Sequence, residues 1–200
     1  KFFVSYNLAI DASSRFADDK SAGFFPGVGA AWLVSSENFM SNLSSVDQLK
    51  LRVSYGLTGN DGVGNYNAES YFVSTRFLEG TGLINGNIAN SSIRWEETAK
   101  ANLGLDIGLF NERLSLNFDY FNNVTDGLLN LNETSPIFGS EGFLNNDGRL
   151  KNTGFEVGFN ARLFNTNNFS WDIGGNVSTY KNEILSLPGN RQINNIEGLN

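Results

Sequence analysis

Two hundred residues carry 14 basic and 21 acidic side chains, a net charge of −7, and neither cysteine nor histidine. The acidic balance argues against nucleic acid or an anionic membrane surface as the partner. The two absences remove disulfides, thiolate nucleophiles, the usual general base and the commonest transition-metal ligands. No run approaches the roughly 20 apolar residues of a spanning helix, whereas 13% aromatics and 22 glycines suit many strands joined by polar loops.

Alternation of apolar and polar residues marks seven strands in chain order. The first, Phe2 to Ile10, puts Phe2, Val4, Tyr6, Leu8 and Ile10 on one face and Ser5 and Asn7 on the other. Phe24 to Val34 sets Val28, Ala30, Trp32 and Val34 against Gly27, Gly29 and Ala31, with Pro26 expected near a strand end or a bulge. Leu49 to Leu57 follows, with Lys50, Arg52 and Ser54 opposite its leucines, Val53 and Tyr55. Ala99 to Leu109 alternates almost without error, and Leu114 to Tyr120, Phe155 to Leu163 and Phe169 to Tyr180 complete the set. Successive strand side chains point to opposite faces, so each segment is written for a sheet with one greasy and one wet face. Most approach the 9 to 11 residues with which a tilted strand crosses a bilayer, longer than the strands of ordinary soluble sheets.

Connection lengths alternate as well. Asp11 to Gly23, Thr58 to Trp95 and Thr125 to Leu150 are long, Asn111 to Arg113 and Asn165 to Asn168 are tight, and Ser35 to Gln48 is intermediate. Outer-membrane barrels have long loops outside and short turns on the periplasmic side, which orients the first strand outward. Ser70 to Phe77 is read as a hairpin or strand extension within the long loop, because one more crossing would invert everything after it. Aromatics such as Phe2, Trp32, Phe110, Phe155, Phe164, Phe169 and Trp171 lie near strand ends, where interfacial girdles occur, although strands favour aromatics in any case.

Motifs for chemistry are absent or incomplete. Gly27-Val-Gly and Gly62-Val-Gly64 lack the third glycine and the helix of a phosphate loop. Glu96 and Glu97 are neighbours in a strand and face opposite ways. Asp18-Asp19 and Asn145-Asn-Asp-Gly148 lack the spaced oxygen array of a calcium loop. No catalytic residue, cofactor or metal is therefore expected. The functional expectation rests on the wet face: Lys50, Arg52, Lys100, Asn102, Asp106, Asn117, Asp119, Glu156, Asn160, Arg162, Asp172 and Asn176 all fall opposite the apolar positions. In a barrel they line the lumen, where they hydrate a channel, contact a plug or bind a polar solute; in a soluble sheet they face water. Tyr66, Tyr71, Phe72 and Trp95 are candidates for stacking on a ligand in the long loop.

A family resemblance runs through nearly the whole chain in consistent order. Its residues are Asp11-Ala-Ser-Ser-Arg-Phe16, Phe25-Pro-Gly-Val-Gly-Ala-Ala-Trp32, Leu49-Lys-Leu-Arg-Val-Ser-Tyr-Gly-Leu-Thr-Gly-Asn60 and Ile93-Arg-Trp-Glu-Glu-Thr98. They continue in Asn102-Leu-Gly-Leu-Asp-Ile-Gly108, Leu114-Ser-Leu-Asn-Phe-Asp-Tyr-Phe121, Asn152-Thr-Gly-Phe-Glu-Val157 and Leu185-Ser-Leu-Pro188. These segments resemble the SusC/RagA family of TonB-dependent outer-membrane receptors of Bacteroidetes. The resemblance implies an all-β, antiparallel barrel of 22 strands, of which residues 1–200 form a part from the C-terminal half. It also implies a plug and TonB-contacting segment outside this chain, and a location in the outer membrane of a Gram-negative bacterium. The implied function is uptake of oligosaccharide or peptide with a SusD-like surface lipoprotein and the TonB complex as partners. The competing reading is a surface or secreted β-sheet adhesin that binds glycan.

Overall fold

The computed structural model describes residues 1–65, 68–78, 80–133 and 142–187. Seven strands form one antiparallel meander: β1 (Phe2–Ala12), β2 (Ala22–Leu33), β3 (Val46–Asn60), β6 (Glu96–Leu109), β7 (Leu114–Glu133), β8 (Gly142–Asn165) and β9 (Ser170–Ser186). Between β3 and β6, β4 (Phe72–Phe77) and β5 (Gly80–Asn85) pair as a separate two-stranded hairpin. The hairpin expected in the long loop is thus present, and each predicted strand falls within one strand of the meander or overlaps it closely. The sheet is not closed: β1 and β9 are its free edges.

Register keeps the two faces separate across all seven strands. One row runs Val4, Ala30, Val53, Leu103, Tyr120, Phe155 and the next Phe2, Trp32, Leu51, Leu105, Phe118, Val157, Val177, each residue opposite its neighbour on the adjoining strand. A slip of one residue in any strand would exchange its faces. Pro26 pairs with Leu8 of β1 but lies just beyond Gly27 and Gly56, where the pairing of β2 with β3 ends, so its missing N–H interrupts no ladder there.

Four boundaries depart most from the sequence pattern. β7 continues to Glu133 and β8 begins at Gly142, so most of the predicted loop from Thr125 to Leu150 is strand. The alternation breaks there because the β7–β8 register shifts on both sides of Leu128, where the β8 partners pass from Arg149 to Gly148 and then to Asn145, and Gly127 between Asp126 and Leu128 adopts φ +71°. A bulge adds an unpaired residue and hides the period of two while the ladder goes on. β2 stops at Leu33; Val34, predicted as its last residue, is buried at the start of a 3₁₀ turn, Val34–Ser36. β9 runs past the predicted end to Ser186.

The shortest connections close tightly. Phe110, Asn111 and Glu112 occupy left-handed conformations at φ 59°, 58° and 58°, and Glu112 N–H donates to Asp47 Oδ2 at 3.0 Å. Thr166 N–H donates to Phe169 O at 2.8 Å while Thr166 Oγ1 accepts from Phe169 N–H at 3.1 Å. Among the described residues, the buried hydrophobic cluster lies at the opposite end of the sheet, where Phe16, Phe25, Val63, Ile93 and Trp95 pack together with Leu57, Leu129 and Leu144 against them.

Candidate functional site

The polar face of the meander is the candidate site. All twelve polar residues expected on one face share it. Lys50 stands opposite Asp106, Asp106 opposite Asn117, Asp119 opposite Glu156, and Asn160 opposite Ser115; Arg162 stands opposite Asp172, while Asn102 and Lys100 face Ser54 and Gly56 and Asn176 faces Gly158.

Its electrostatic centre spans three strands. Arg52 of β3 donates from Nε and an NH2 group to both carboxylate oxygens of Asp106 on β6, each at 2.8 Å, and also meets Asp119 of β7 at 3.0 and 3.1 Å. Asp119 lies two strands away and is within reach because Gly104 occupies the β6 position between them, opposite both Arg52 and Asp119. A Cβ at Gly104 would fall 2.5 Å from Arg52 Cζ, so only glycine lets the guanidinium lie flat across β6. The planar fork of arginine suits such two-pronged contacts. A second pair, Arg162 Nε with Asp172 Oδ1 at 2.8 Å, joins β8 to β9 nearer the tight turn.

The same device recurs with amides. The side chain of Asn7 covers Gly27, that of Asn117 covers Gly158, and that of Asn160 covers Gly174. Side chains folded onto neighbouring strands make the wall thin and polar. Between them Ser5, Gly29, Ser54 and Asn102 line two adjoining depressions of about 260 and 240 Å³.

The other face is apolar and bare. Phe2, Val4, Tyr6, Val28, Val53, Leu103, Tyr120 and Phe155 are each at least half exposed, far more contiguous apolar surface than a soluble monomer tolerates. Aromatic pairs stack near the end with the tight turns: Phe2 on Trp32 at 5.5 Å and Phe164 on Trp171 at 5.9 Å.

Of the four loop aromatics proposed as ligand contacts, Tyr71 and Phe72 are exposed beside and within β4, and Tyr66 lies outside the described residues. Trp95 is buried. Its ring packs on Phe16 and Phe25 at 5.3 and 5.4 Å and its indole N–H donates to Ser21 O, so it ties connections together instead of presenting a stacking surface.

Two further groups have structural roles that the sequence did not assign to them. Asn146, buried, accepts from Arg94 N–H at 2.8 Å and donates to Arg94 O at 2.9 Å and Gly127 O at 2.8 Å, clamping the long loop to the β7 bulge. Ser13 Oγ donates to Asp61 Oδ2 at 2.9 Å, and Arg15 donates to Asp61 O at 3.0 Å, joining the first and second long connections. The glycines that the polar-face side chains cover, Gly27, Gly104, Gly158 and Gly174, all fall on the wet side of their strands.

A single antiparallel layer with free edges, a bare apolar face and a polar ion-paired face is an arc of a β-barrel. Comparison with known proteins then specifies which kind. The family model described as "TonB dependent receptor-like, beta-barrel" matches residues 1–198, and the chain belongs to that family. Among curated relatives, TonB-dependent receptor P26 of Formosa agariphila is 36% identical over 194 residues, and SusC of Bacteroides thetaiotaomicron is 30% identical over 200; each alignment covers 94% of this chain and 20% of the relative. Among solved structures, one titled "Structure of the RagAB peptide transporter" superimposes with a TM-score of 0.86 at 26% identity, over 94% of this chain and 21% of that one. The chain thus spans about a fifth of the length of these relatives. The family is one of transporters and receptors, not enzymes.

Proposed function

We propose that this chain forms part of the barrel wall of an outer-membrane importer that takes up an oligosaccharide or a peptide, driven by the TonB complex and covered outside by a SusD-like lipoprotein. The observation that carries the reading is the separation of faces: an exposed apolar face fit for lipid, backed by a thin polar wall of amides and paired charges fit for a hydrated lumen. The relatives supply the rest. SusC is named a TonB-dependent receptor and the RagAB structure a peptide transporter, so energy-coupled import is the shared theme.

In this mechanism no bond is made or broken. Cargo is captured at the outer loops, where Tyr71 and Phe72 are accessible, and passes along the polar wall once a plug moves; lumen residues such as Lys50, Lys100 and Glu156 hydrate the path and offer hydrogen bonds. Oligosaccharide and peptide are separated by uptake assays. Cells carrying the full-length receptor are given labelled oligosaccharide or labelled peptide with and without a functional TonB complex. TonB-dependent accumulation of either class supports import and names the cargo. A full-length protein that stays folded and monodisperse with no detergent or lipid favours the adhesin and sinks the importer.

A further inference from the structure

The apolar face is not uniformly filled. In the row Val4, Ala30, Val53, Leu103 the second member is a methyl group between larger neighbours. A groove of about 350 Å³ opens over Ala30, bounded by Val4 and Val53 at its sides, Leu103 beyond, and the stacked rings of Phe2 and Trp32 at its lower end. The lining is apolar throughout apart from Arg52, which is engaged on the opposite face. The rim is held open. Trp32 lies flat on Phe2 with 10° between the ring planes, and its indole N–H donates to Glu37 Oε1 at 3.1 Å in the connection below.

We infer that this groove seats one acyl chain of a phospholipid from the periplasmic leaflet. The inference rests on reading the apolar face as the membrane face. A groove on that face is continuous with the lipid contact and is closed to any water-soluble ligand, because no polar group lines its mouth to replace a ligand's hydration. It lies at the end of β1 and β2 nearest the tight turns of the sheet, which is the periplasmic side by the rule of long outer loops and short inner turns. A flexible chain fits an irregular apolar trench that the stiffer side chains around it leave empty, and by lying in it gains dispersion contacts on both walls that a flat surface would not give. Trp32 and Phe2 sit where an interfacial aromatic pair marks the headgroup level, so the chain enters there and runs upward along Ala30.

The test is lipid retention by the full-length receptor, purified in mild detergent and analysed by native mass spectrometry and by extraction of bound lipid. The wild type is expected to keep about one phospholipid per barrel through washing. Ala30→Leu, which fills the trench, is expected to lower retained phospholipid at least tenfold while the barrel still folds, as judged by its electrophoretic mobility; Ala30→Gly, which deepens the trench, keeps it. Equal retention in wild type and Ala30→Leu, no retained lipid in the wild type, or retention of lipopolysaccharide in place of phospholipid each overturns the inference. Detergent dependence is measured on the same samples. A receptor that needs no detergent defeats the membrane reading itself, whereas one that needs it but is indifferent to Ala30→Leu defeats only the groove.

Discussion

Arg52 is the perturbation from which the polar wall has most to lose. Its guanidinium serves two carboxylates at once, four contacts between 2.8 and 3.1 Å, and all three side chains are only about a third exposed or less, at 35%, 26% and 28%. Asp119→Asn leaves the two-pronged contact with Asp106 intact and is expected to cost about 1 kcal/mol, the upper range of a partly exposed ion pair. Arg52→Met strands two neighbouring carboxylates without a cation, and partial burial raises the cost to about 2 to 3 kcal/mol, short of the figure for a fully buried pair. Removing the charges together reverses part of that loss: Arg52→Met combined with Asp106→Asn and Asp119→Asn should be more stable than Arg52→Met alone by at least about 1 kcal/mol, since residues in one network do not add. Urea unfolding of the full-length receptor in lipid bilayers, followed by tryptophan fluorescence and by the mobility shift of the folded barrel, gives all four values. If Arg52→Met is no worse than Asp119→Asn, or the triple variant is worse than the single one, the network does not hold the wall in the way described.

Other substitutions probe separate parts of the arc. Gly104→Ala forces Arg52 off β6 and is expected to cost about 1 to 2 kcal/mol, mostly through the lost Asp119 contacts; the same change in the Arg52→Met background should cost much less. Leu105→Arg on the apolar face should cost about 2 to 4 kcal/mol in a bilayer, the range for a cation at mid-depth on a barrel's lipid face, read by the same urea titration. Asn146→Ala removes three hydrogen bonds and leaves Arg94 and Gly127 backbone groups unsatisfied. Its loss of about 2 to 3 kcal/mol should be local, seen as faster proteolysis of residues 61–95 with the barrel's mobility unchanged.

Much of this arc is written in the period of two. The faces of β3 and β6 follow directly from Leu49 to Leu57 and Ala99 to Leu109, and every polar residue assigned to the wet face lies on one side of the sheet. What alternation cannot show is how polar residues meet across strands. That Asp119 belongs with Arg52 depends on the passage left open by Gly104 on the strand between them, a relation between strands far apart in sequence. The upper halves of β7 and β8 were hidden for a different reason: the irregularities on both sides of Leu128, opposite Gly148 and Asn145, shift the pattern and make continuous strand read as loop. Trp95 misled because an aromatic in a polar loop carries no mark of burial; its partners Phe16 and Phe25 come from another connection and another strand.

The membrane assignment of the two faces is tested by single cysteines placed along Ala99 to Leu109 in a cysteine-free full-length receptor in liposomes, each scored for reaction with a water-soluble maleimide. Cysteines replacing Lys100, Asn102, Gly104, Asp106 and Gly108 are predicted to react when the lumen is open to solvent, while those replacing Ala99, Ala101, Leu103, Leu105, Ile107 and Leu109 stay protected until the bilayer is dissolved. Uniform reactivity along the strand, or alternation with the opposite parity, would contradict a barrel wall with lipid on its apolar side.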